Sequence, residues 1–409
     1  MSKRILLITQ WFDPEPTSKG LVFARALVQK GFQVEVLTGF PNYPGGKIYP
    51  GYKIKLCTKE TIDDIMITRV ALFPSHDRNA MKRALNYLSF FVSALVYGLF
   101  FAGKPSVIYA YHPPLTVGVA AVLIRLIRRV PVVCDIQDLW PDTLRATGML
   151  SNNLVLHFIS IICKWVYRNS NEIVVLSPGF KTRLMERGVP SDKIHLIFNW
   201  SSEISVSKFD GKVHLQRMKQ PLFHVLFAGN IGKAQSLDSV VHAAKLIESH
   251  DNQIHITFVG DGVDLVRIKQ VAGNLELNNV SFIPRVSMNE VGCLLEEADV
   301  LLVHLRRDPL FQITIPSKTQ AYMAAGKAIV MCVDGDAADV IREARCGVIA
   351  TSESPKSIAE SIIQLKNMQE DERAQLGKNG KKYYHENMSL RVGVEKFNQI
   401  FQRVALKMK

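Results

Sequence analysis

The chain has 409 residues, 47% of them hydrophobic, and a formal charge of +13. That length and apolar content suit two domains with large cores. Six cysteines (Cys57, Cys134, Cys163, Cys293, Cys332, Cys346) form no CxxC pair and have no His at zinc spacing, which excludes a zinc-ribbon or disulfide scaffold and points to free thiols in a reducing compartment.

Ile5–Thr9 reads as a buried strand, far too short for a signal peptide. A loop follows, Trp11–Gly20, with Pro14 and Pro16. Leu21–Lys30 is an amphipathic helix ended by Gly31, and Val34–Thr38 is the next strand. This β-loop-α-β opening belongs to a doubly wound sheet. Phe40–Gly51 is a Pro/Gly-rich loop, and Met66–Val70 a strand. Ala84–Ala102 carries no charge. It is long enough to span a bilayer, but Asn86, Ser89, Ser93 and Gly98 favour a buried or surface-lying helix. Val107–Ala110 is a strand, Tyr111–Pro114 its turn, Leu115–Ile127 a helix, Val132–Ile136 a strand and Gln137–Gly148 a polar loop. A helix Asn153–Tyr167, a strand Ile173–Leu176, a helix from Ser177 to Gly188 and a strand Ile194–Ile197 complete the first half.

Residues 201–220 are polar and aperiodic, and read as a linker. A second α/β set follows: strand Val225–Ala228, helix Leu237–Ser249, strand Ile254–Val259, a helix to Gly273, strand Val280–Ile283, helix Met288–Glu296 and strand Val300–His304. Ile315-Pro316-Ser317 then starts a short helix, with Ser317 as its expected oxygen cap and Gly326 as its end. Ala328–Cys332 is a strand. Helices follow near Ala337–Ala344, over Pro355–Asn367 and through the region Leu376–Lys409. The expected architecture is α/β: two Rossmann-like doubly wound domains, 1–200 and 201–389, facing across a cleft, with a terminal helix from about residue 390 packing back on the first. Ligands in such sheets sit beyond the carboxyl ends of the strands.

Charge divides unevenly. Residues 1–200 hold 24 Lys and Arg against 13 Asp and Glu, and the rest hold 26 against 24. From Arg78 to Cys134 there is no acid, but there are seven basic residues, Arg78, Lys82, Arg83, Lys104, Arg125, Arg128 and Arg129. A basic stretch that is also very apolar suits an anionic membrane surface better than nucleic acid.

Several loops carry candidate chemistry. Lys318 and the free N–H groups of the Pro316-Ser317 helix start make an anion site, with a diphosphate as the natural ligand. Gly229 and Gly232, in Ala228-Gly229-Asn230-Ile231-Gly232, let a backbone approach a phosphate. Lys233 and Gln235 add a charge and an amide there. His112, after a strand, suits a substrate hydroxyl or acid–base work. Asp138 and Asp142 lie in a loop, whereas Asp135 lies within a strand. Asp334-Gly335-Asp336 spells a metal-binding tripeptide that a turn explains better, so no metal is expected. No full dinucleotide fingerprint follows Ile5–Thr9, which disfavours a nicotinamide oxidoreductase.

The order and spacing of GNIGKAQSLDSVVHAA, VGDGVD, EADVLLVHL and IPSKTQAYMAAG, with DIQDLWPDTLRATG in the first half, resemble glycosyltransferase family 4. The resemblance covers nearly the whole chain. It implies the GT-B fold and retaining transfer from a nucleotide sugar without metal or other cofactor. Within that family the chain is similar to bacterial O-antigen and capsule transferases, particularly those for N-acetyl-L-fucosamine. The residues expected to act are then His112 and Lys318 in catalysis. Gly229, Asn230, Lys233, Gln235, Asp261, Gly262, Arg285, Arg306, Pro316 and Ser317 would hold a UDP-sugar. Glu15, Gly20, Asp138 and Arg145 would line the acceptor side. The implied acceptor is a polyprenyl-diphosphate-linked sugar at the inner face of the cytoplasmic membrane. The chain departs from the family at its Glu-x7-Glu pair, where Ile313 and Ala321 stand. A nucleotide-sugar 2-epimerase and a non-catalytic homologue are the alternatives.

Overall fold

A computed structural model describes residues 3–75, 80–201 and 223–406. Arg78, and the linker beyond Ser201, lie outside the described residues. The chain divides into two compact units, Met1–Phe198 with Leu390–Lys409, and Asn199–Ser389.

Unit 1 begins β1 (Arg4–Ile8), α1 (Leu21–Gln29), β2 (Gln33–Gly39), β3 (Cys57–Ile62), β4 (Ile65–Val70) and α2 (Ala80–Phe100). It continues through β5 (Val107–His112), α3 (Leu115–Arg128), β6 (Val132–Ile136), α4 (Asp142–Ala146), α5 (Asn153–Asn169), β7 (Glu172–Val175), α6 (Pro178–Glu186) and β8 (Ile194–Leu196). The sheet order is β3-β4-β2-β1-β5-β6-β7-β8. Only β3 runs antiparallel, paired with β4. Strands β1, β5 and β6 are almost wholly buried, as parallel strands covered on both faces must be. The C-terminal helix Leu390–Leu406 returns to this unit. Its Phe397 and Phe401 meet Phe23, Phe32 and Tyr109 at ring separations of 5.2–6.0 Å. Such edge-on pairs contribute roughly 0.5–1.5 kcal/mol each beyond area burial.

Unit 2 runs β9 (Phe223–Ala228), α7 (Asp238–Glu248), β10 (Ile254–Val259), α8 (Leu265–Asn274), β11 (Val280–Ile283), α9 (Met288–Glu297) and β12 (Val300–His304). Then come α10 (Pro309–Gln312), α11 (Ser317–Ala325), β13 (Ala328–Cys332), α12 (Asp336–Ala344), β14 (Gly347–Ile349), α13 (Pro355–Asn367) and α14 (Glu370–Tyr383). All its strand pairs are parallel, in the order β11-β10-β9-β12-β13-β14. Counted from β9 this is 3-2-1-4-5-6, the order of dinucleotide-binding folds.

The structure corrects the sequence reading at four places and refines it at one. The polar stretch Cys57–Ile62 is an edge strand, exposed on most of its length. Tyr111 and His112 extend β5 rather than forming its turn, because they pair with Asp135 and Ile136 before Pro113. Asp142–Ala146, read as loop, is a short helix whose start is fixed by the Asp142–Arg187 ion pair. The region Leu376–Lys409 breaks near residue 390, where the terminal helix was expected to begin. The extended backbone of Ser389 separates α14 and the wider turn Tyr384–Met388 from the last helix. Ser317 is not the cap of α11. Pro316 holds that position with extended backbone, and no side chain caps the first turn.

Candidate functional site

In unit 2 the chain leaves β9 toward β10 on one side, and β12 toward β13 on the other. A crevice forms at the carboxyl ends of two such strands. Residue Gly229 follows β9 with φ +134°, a conformation costly for any side chain. A Cβ there would lie 2.8 Å from both Cε and Nζ of Lys318, so glycine is what lets the lysine cross the strand end. The ammonium sits 4.4 Å above the centre of the Phe227 ring, a cation–π contact. It meets no carboxylate among the described residues, and burial pulls its pKa down to about 8.

Tyr322 lies one helical turn beyond Lys318, so both side chains face β9. The Tyr322 hydroxyl accepts from the Ala228 amide at 2.8 Å and lies 3.3 Å from the Ala228 carbonyl. It pins α11 to the end of β9 and thereby sets where Lys318 points. Pro316 and Ser317 open the same helix, and Ser317 is exposed. With no side-chain cap, the Ser317 and Lys318 amides are left for an anion, while the Thr319 amide donates to the Pro316 carbonyl at 2.8 Å.

The loop after β9 is held by its own residues. Gln235 Oε1 accepts from the Gly232 amide at 3.0 Å and from Asn230 Nδ2 at 3.3 Å. Gln235 and Asn230 therefore brace the loop in this conformation. Gly262 approaches Ile231 so closely that a Cβ would be 2.2 Å from its carbonyl oxygen. The Asp261 carbonyl accepts from the Ile231 amide at 2.8 Å, and its carboxylate accepts from Gly262 at 2.7 Å. Lys233 and Arg285 are exposed on their loops. Arg306 faces Asp308 at 3.6 Å and the Phe311 ring at 5.7 Å.

Sequence reasoning missed His304. Its Nδ1 donates to the Gln235 carbonyl at 2.6 Å while Nε2 accepts from the Glu353 amide at 3.2 Å, so the neutral tautomer is fixed, and burial lowers its pKa. The Glu353 carboxylate accepts from the Ser236 hydroxyl at 2.9 Å and the Arg307 amide at 2.8 Å. A usable signal was present: a His closes the strand beyond the switch point in both halves, His112 on β5 and His304 on β12.

In unit 1 the switch point lies between β1 and β5. His112 ends β5 fully buried, with neither ring nitrogen hydrogen-bonded among the described residues. Burial lowers its pKa to about 4, so the ring is neutral. Buried orphan nitrogens are rare and mark a place where a ligand group fits. Trp140 stands edge-on, 6.3 Å away. Asp138 is half-buried with its carboxyl raised to about 6 by loss of solvent. Arg145 is exposed on α4 and donates to Asn153 at 3.2 Å.

Two acceptor-side expectations need correction. Glu15 is buried, and its carboxylate accepts from the amides of Phe12, Asn42 and Tyr43 at 3.1, 2.8 and 2.7 Å. Its oxygens tie two loops together instead of facing a ligand. Gly20 serves α1: a Cβ there would lie 2.1 Å from Asp13 Oδ2, the atom that accepts from the Leu21 amide at 2.6 Å. Beneath them, buried Lys19 lies over Phe397, 5.3 Å from its ring centre, with its pKa drawn to about 8 by burial and partly restored by Asp135. Asp135 accepts from Tyr109 at 2.6 Å and Gln137 at 2.5 Å, which makes it structural.

Two Rossmann-like units, one with a lysine at its switch point that meets no carboxylate among the described residues, define a class of fold that takes anionic ligands such as nucleotides beyond its strand ends. Comparison carries this further. Residues 212–383 match the glycosyl transferases group 1 family, and residues 21–200 match the glycosyl transferase 4-like domain. The chain thus has the GT-B fold, with a glycosyltransferase model matching each half. It is 24% identical over 351 residues to WcaI of Escherichia coli (strain K12), named for colanic acid biosynthesis, covering 81% of this chain and 83% of that one. Among solved structures, sucrose-phosphate synthase from Thermosynechococcus elongatus superposes with a TM-score of 0.71 at 14% identity, over 98% of this chain and 99% of that one. Anabaena HepE, solved with UDP and glucose, gives 0.68 at 13% identity, over 98% and 100%.

Proposed function

We propose that the protein is a retaining glycosyltransferase. It moves a sugar, N-acetyl-L-fucosamine by the sequence resemblance, from a UDP-sugar to a polyprenyl-diphosphate-linked saccharide in O-antigen or capsule polysaccharide synthesis. It works in the cytoplasm at the inner membrane face. The observation that carries the donor half is Lys318, laid across Gly229 at the switch point of unit 2 with no carboxylate partner among the described residues. Anabaena HepE, solved with UDP and glucose, supports a uridine donor, and the name of WcaI supports an exopolysaccharide pathway.

As the bond from the anomeric carbon to the diphosphate breaks, negative charge gathers on the leaving phosphate. Lys318 and the uncapped first turn of α11 stabilise that charge where it develops. A divalent ion is then not required. His112, neutral at physiological pH, offers one N–H and one lone pair to sugar hydroxyls. Asp138 and Arg145 serve the acceptor. The apolar residues Ile313 and Ala321 motivate a second reading, a nucleotide-sugar-binding homologue without turnover. Purified protein offered a panel of UDP-sugars with a lipid-linked GlcNAc acceptor separates these readings. Acceptor-dependent release of UDP and a new glycolipid support transfer. Donor turnover without acceptor indicates an epimerase, and nucleotide binding without turnover indicates the homologue.

A further inference from the structure

Helix α2 has two apolar faces. The inward one packs through Asn86, Phe90, Ala94 and Tyr97, all buried. Asn86 accepts from Gln10 at 2.5 Å and donates to the Phe73 carbonyl at 2.7 Å. The Tyr97 hydroxyl accepts from Thr68 at 3.2 Å and lies 3.4 Å from Glu35. Residue Gly98 packs so tightly on α3 that a Cβ would lie 2.3 Å from Ile124. This helix is therefore built into unit 1. It is long and apolar enough to cross a membrane, but crossing would strip these partners away.

The outward face is the unexplained one. Met81, Leu85, Leu88, Val92, Val96 and Phe100 recur every three or four residues and are 44–74% exposed. That spacing makes one continuous stripe. Helix α3 packs between α2 and α5, and α5 carries a second stripe, Leu154, Phe158 and Ile161, exposed by 81, 62 and 52%. Beside the first stripe, an apolar groove of about 460 Å³ opens between α2 and the β3–β4 hairpin, lined by Leu56, Cys57, Val70, Val92, Val96 and Phe101 among others. Contiguous exposed apolar surface on this scale marks an interaction site.

Charge names the occupant. Helices α2, α3 and α5 contain no acidic residue. Lys82 and Lys104 are exposed at the two ends of the α2 stripe, and Lys164 and Arg168 on α5. Arg128 is committed, donating to the carbonyls of Gly98, Ala102 and Gly103, and Arg125 donates to Asn171. A second copy of the chain, packed through these stripes about a two-fold axis, would set the exposed Lys104, Lys164 and Arg168 against helices equally free of acid, and like charges would oppose it. An anionic phospholipid surface satisfies both the apolar stripe and its basic ends.

We infer that unit 1 docks on an anionic bilayer through the outer stripe of α2, flanked by that of α5, with hydrocarbon entering the groove beside β3. This deepens the proposed function, because a lipid-linked acceptor is reached from such a surface. The test uses vesicles with neither donor nor acceptor, so either reading stands if the other falls.

Full-length protein is sedimented with phosphatidylcholine–phosphatidylglycerol vesicles and with phosphatidylcholine alone. The expected result is binding to the anionic vesicles that high salt weakens without abolishing. Lys104→Gln and Lys164→Gln should each weaken binding about fivefold, the equivalent of roughly 1 kcal/mol per basic residue. Leu88→Glu with Val92→Glu should cost at least about tenfold. Both positions are exposed, so unchanged thermal unfolding confirms that these variants fold, and Leu88→Gln provides a milder check. Cys57 is an exposed free thiol on the groove wall. A bimane label there, in a Cys293→Ser protein, should shift to the blue when anionic vesicles are added. The inference is overturned if the protein stays in the supernatant at low salt, or if neutral vesicles bind it equally well. It is likewise overturned if a stable dimer hides Cys57 and vesicles do not bind.

Discussion

Replacing Lys318 with Met should do two things at once: slow transfer and stabilise the fold. Methionine keeps an unbranched side chain over Phe227 but removes the ammonium. Loss of one preorganised donor to a developing anion typically costs about 10²–10³ in turnover, or roughly 3–4 kcal/mol. The stability effect has the opposite sign. Burial depresses the lysine pKa from 10.5 to about 8, so the unfolded chain holds this proton more tightly than the folded one. The penalty is fully present below pH 8 and is relieved as pH rises from about 8 to 10.5. Its ceiling is roughly 3 kcal/mol. The side chain is partly exposed, so about 1–2 kcal/mol is the realistic share. For a unit of this size that raises Tm by about 2–8 °C.

Acceptor-dependent UDP release and thermal unfolding, both at neutral pH, read the two effects. In the wild type, kcat/KM should fall above about pH 8 as the free ammonium loses its proton, whereas Lys318→Met should show no such limb. Gly229→Ala should reproduce the catalytic loss by another route. Its Cβ would meet Lys318 at 2.8 Å, and φ of +134° strains any side chain there. A folded Lys318→Met protein with wild-type turnover would refute the assignment, as would an unimpaired Gly229→Ala.

Activity should survive EDTA, because in the proposed site Lys318 and the start of α11 would face the diphosphate; loss restored by Mg²⁺ or Mn²⁺ would turn attention to Asp334 and Asp336. Asp138, raised to about 6 by burial, is ionised only above that value. Acceptor kcat/KM should therefore fall as pH drops through about 6, and Asp138→Asn should lower the rate and erase that limb; a pH profile unchanged by the substitution removes Asp138 from acceptor recognition.

Much of the fold was legible because its strands are buried on both faces. Ile254–Val259, Val300–His304 and Ala328–Cys332 read directly as apolar-rich runs, and they match β10, β12 and β13 end to end. Strand β3 was illegible for the converse reason. CTKETI is an exposed edge, and its pairing with β4 rather than its pattern makes it a strand. At the site, Lys318 could be found because a Lys beside a Pro-Ser helix start has local meaning. Its orientation could not, since that depends on Tyr322 reaching Ala228 across 94 residues of sequence. Glu15 misled because a carboxylate in a loop after a strand looks available. Only the fold reveals three amides converging on it.

The apolar residues at 313 and 321 alter how charge is shared in unit 2. Nearby carboxylates are already committed. Asp308 accepts from the Leu310 amide at 2.9 Å and faces Arg306, while Glu353 holds Ser236 and Arg307. The Asp261 carboxylate holds the Gly262 amide. A Glu at 321 would stand three residues from Lys318 on the same helix, close enough to pair with it. Such a pair would raise the lysine pKa and spend part of its charge internally. With Ala321 there, the ammonium is neutralised by no neighbouring acid among the described residues, and its attraction is directed at whatever anion arrives. The same substitution takes away a carboxylate that would hold a ribose. On the proposed function, recognition that an acidic pair would otherwise supply falls to phosphate charge and to loop backbone fixed by Gln235 and His304.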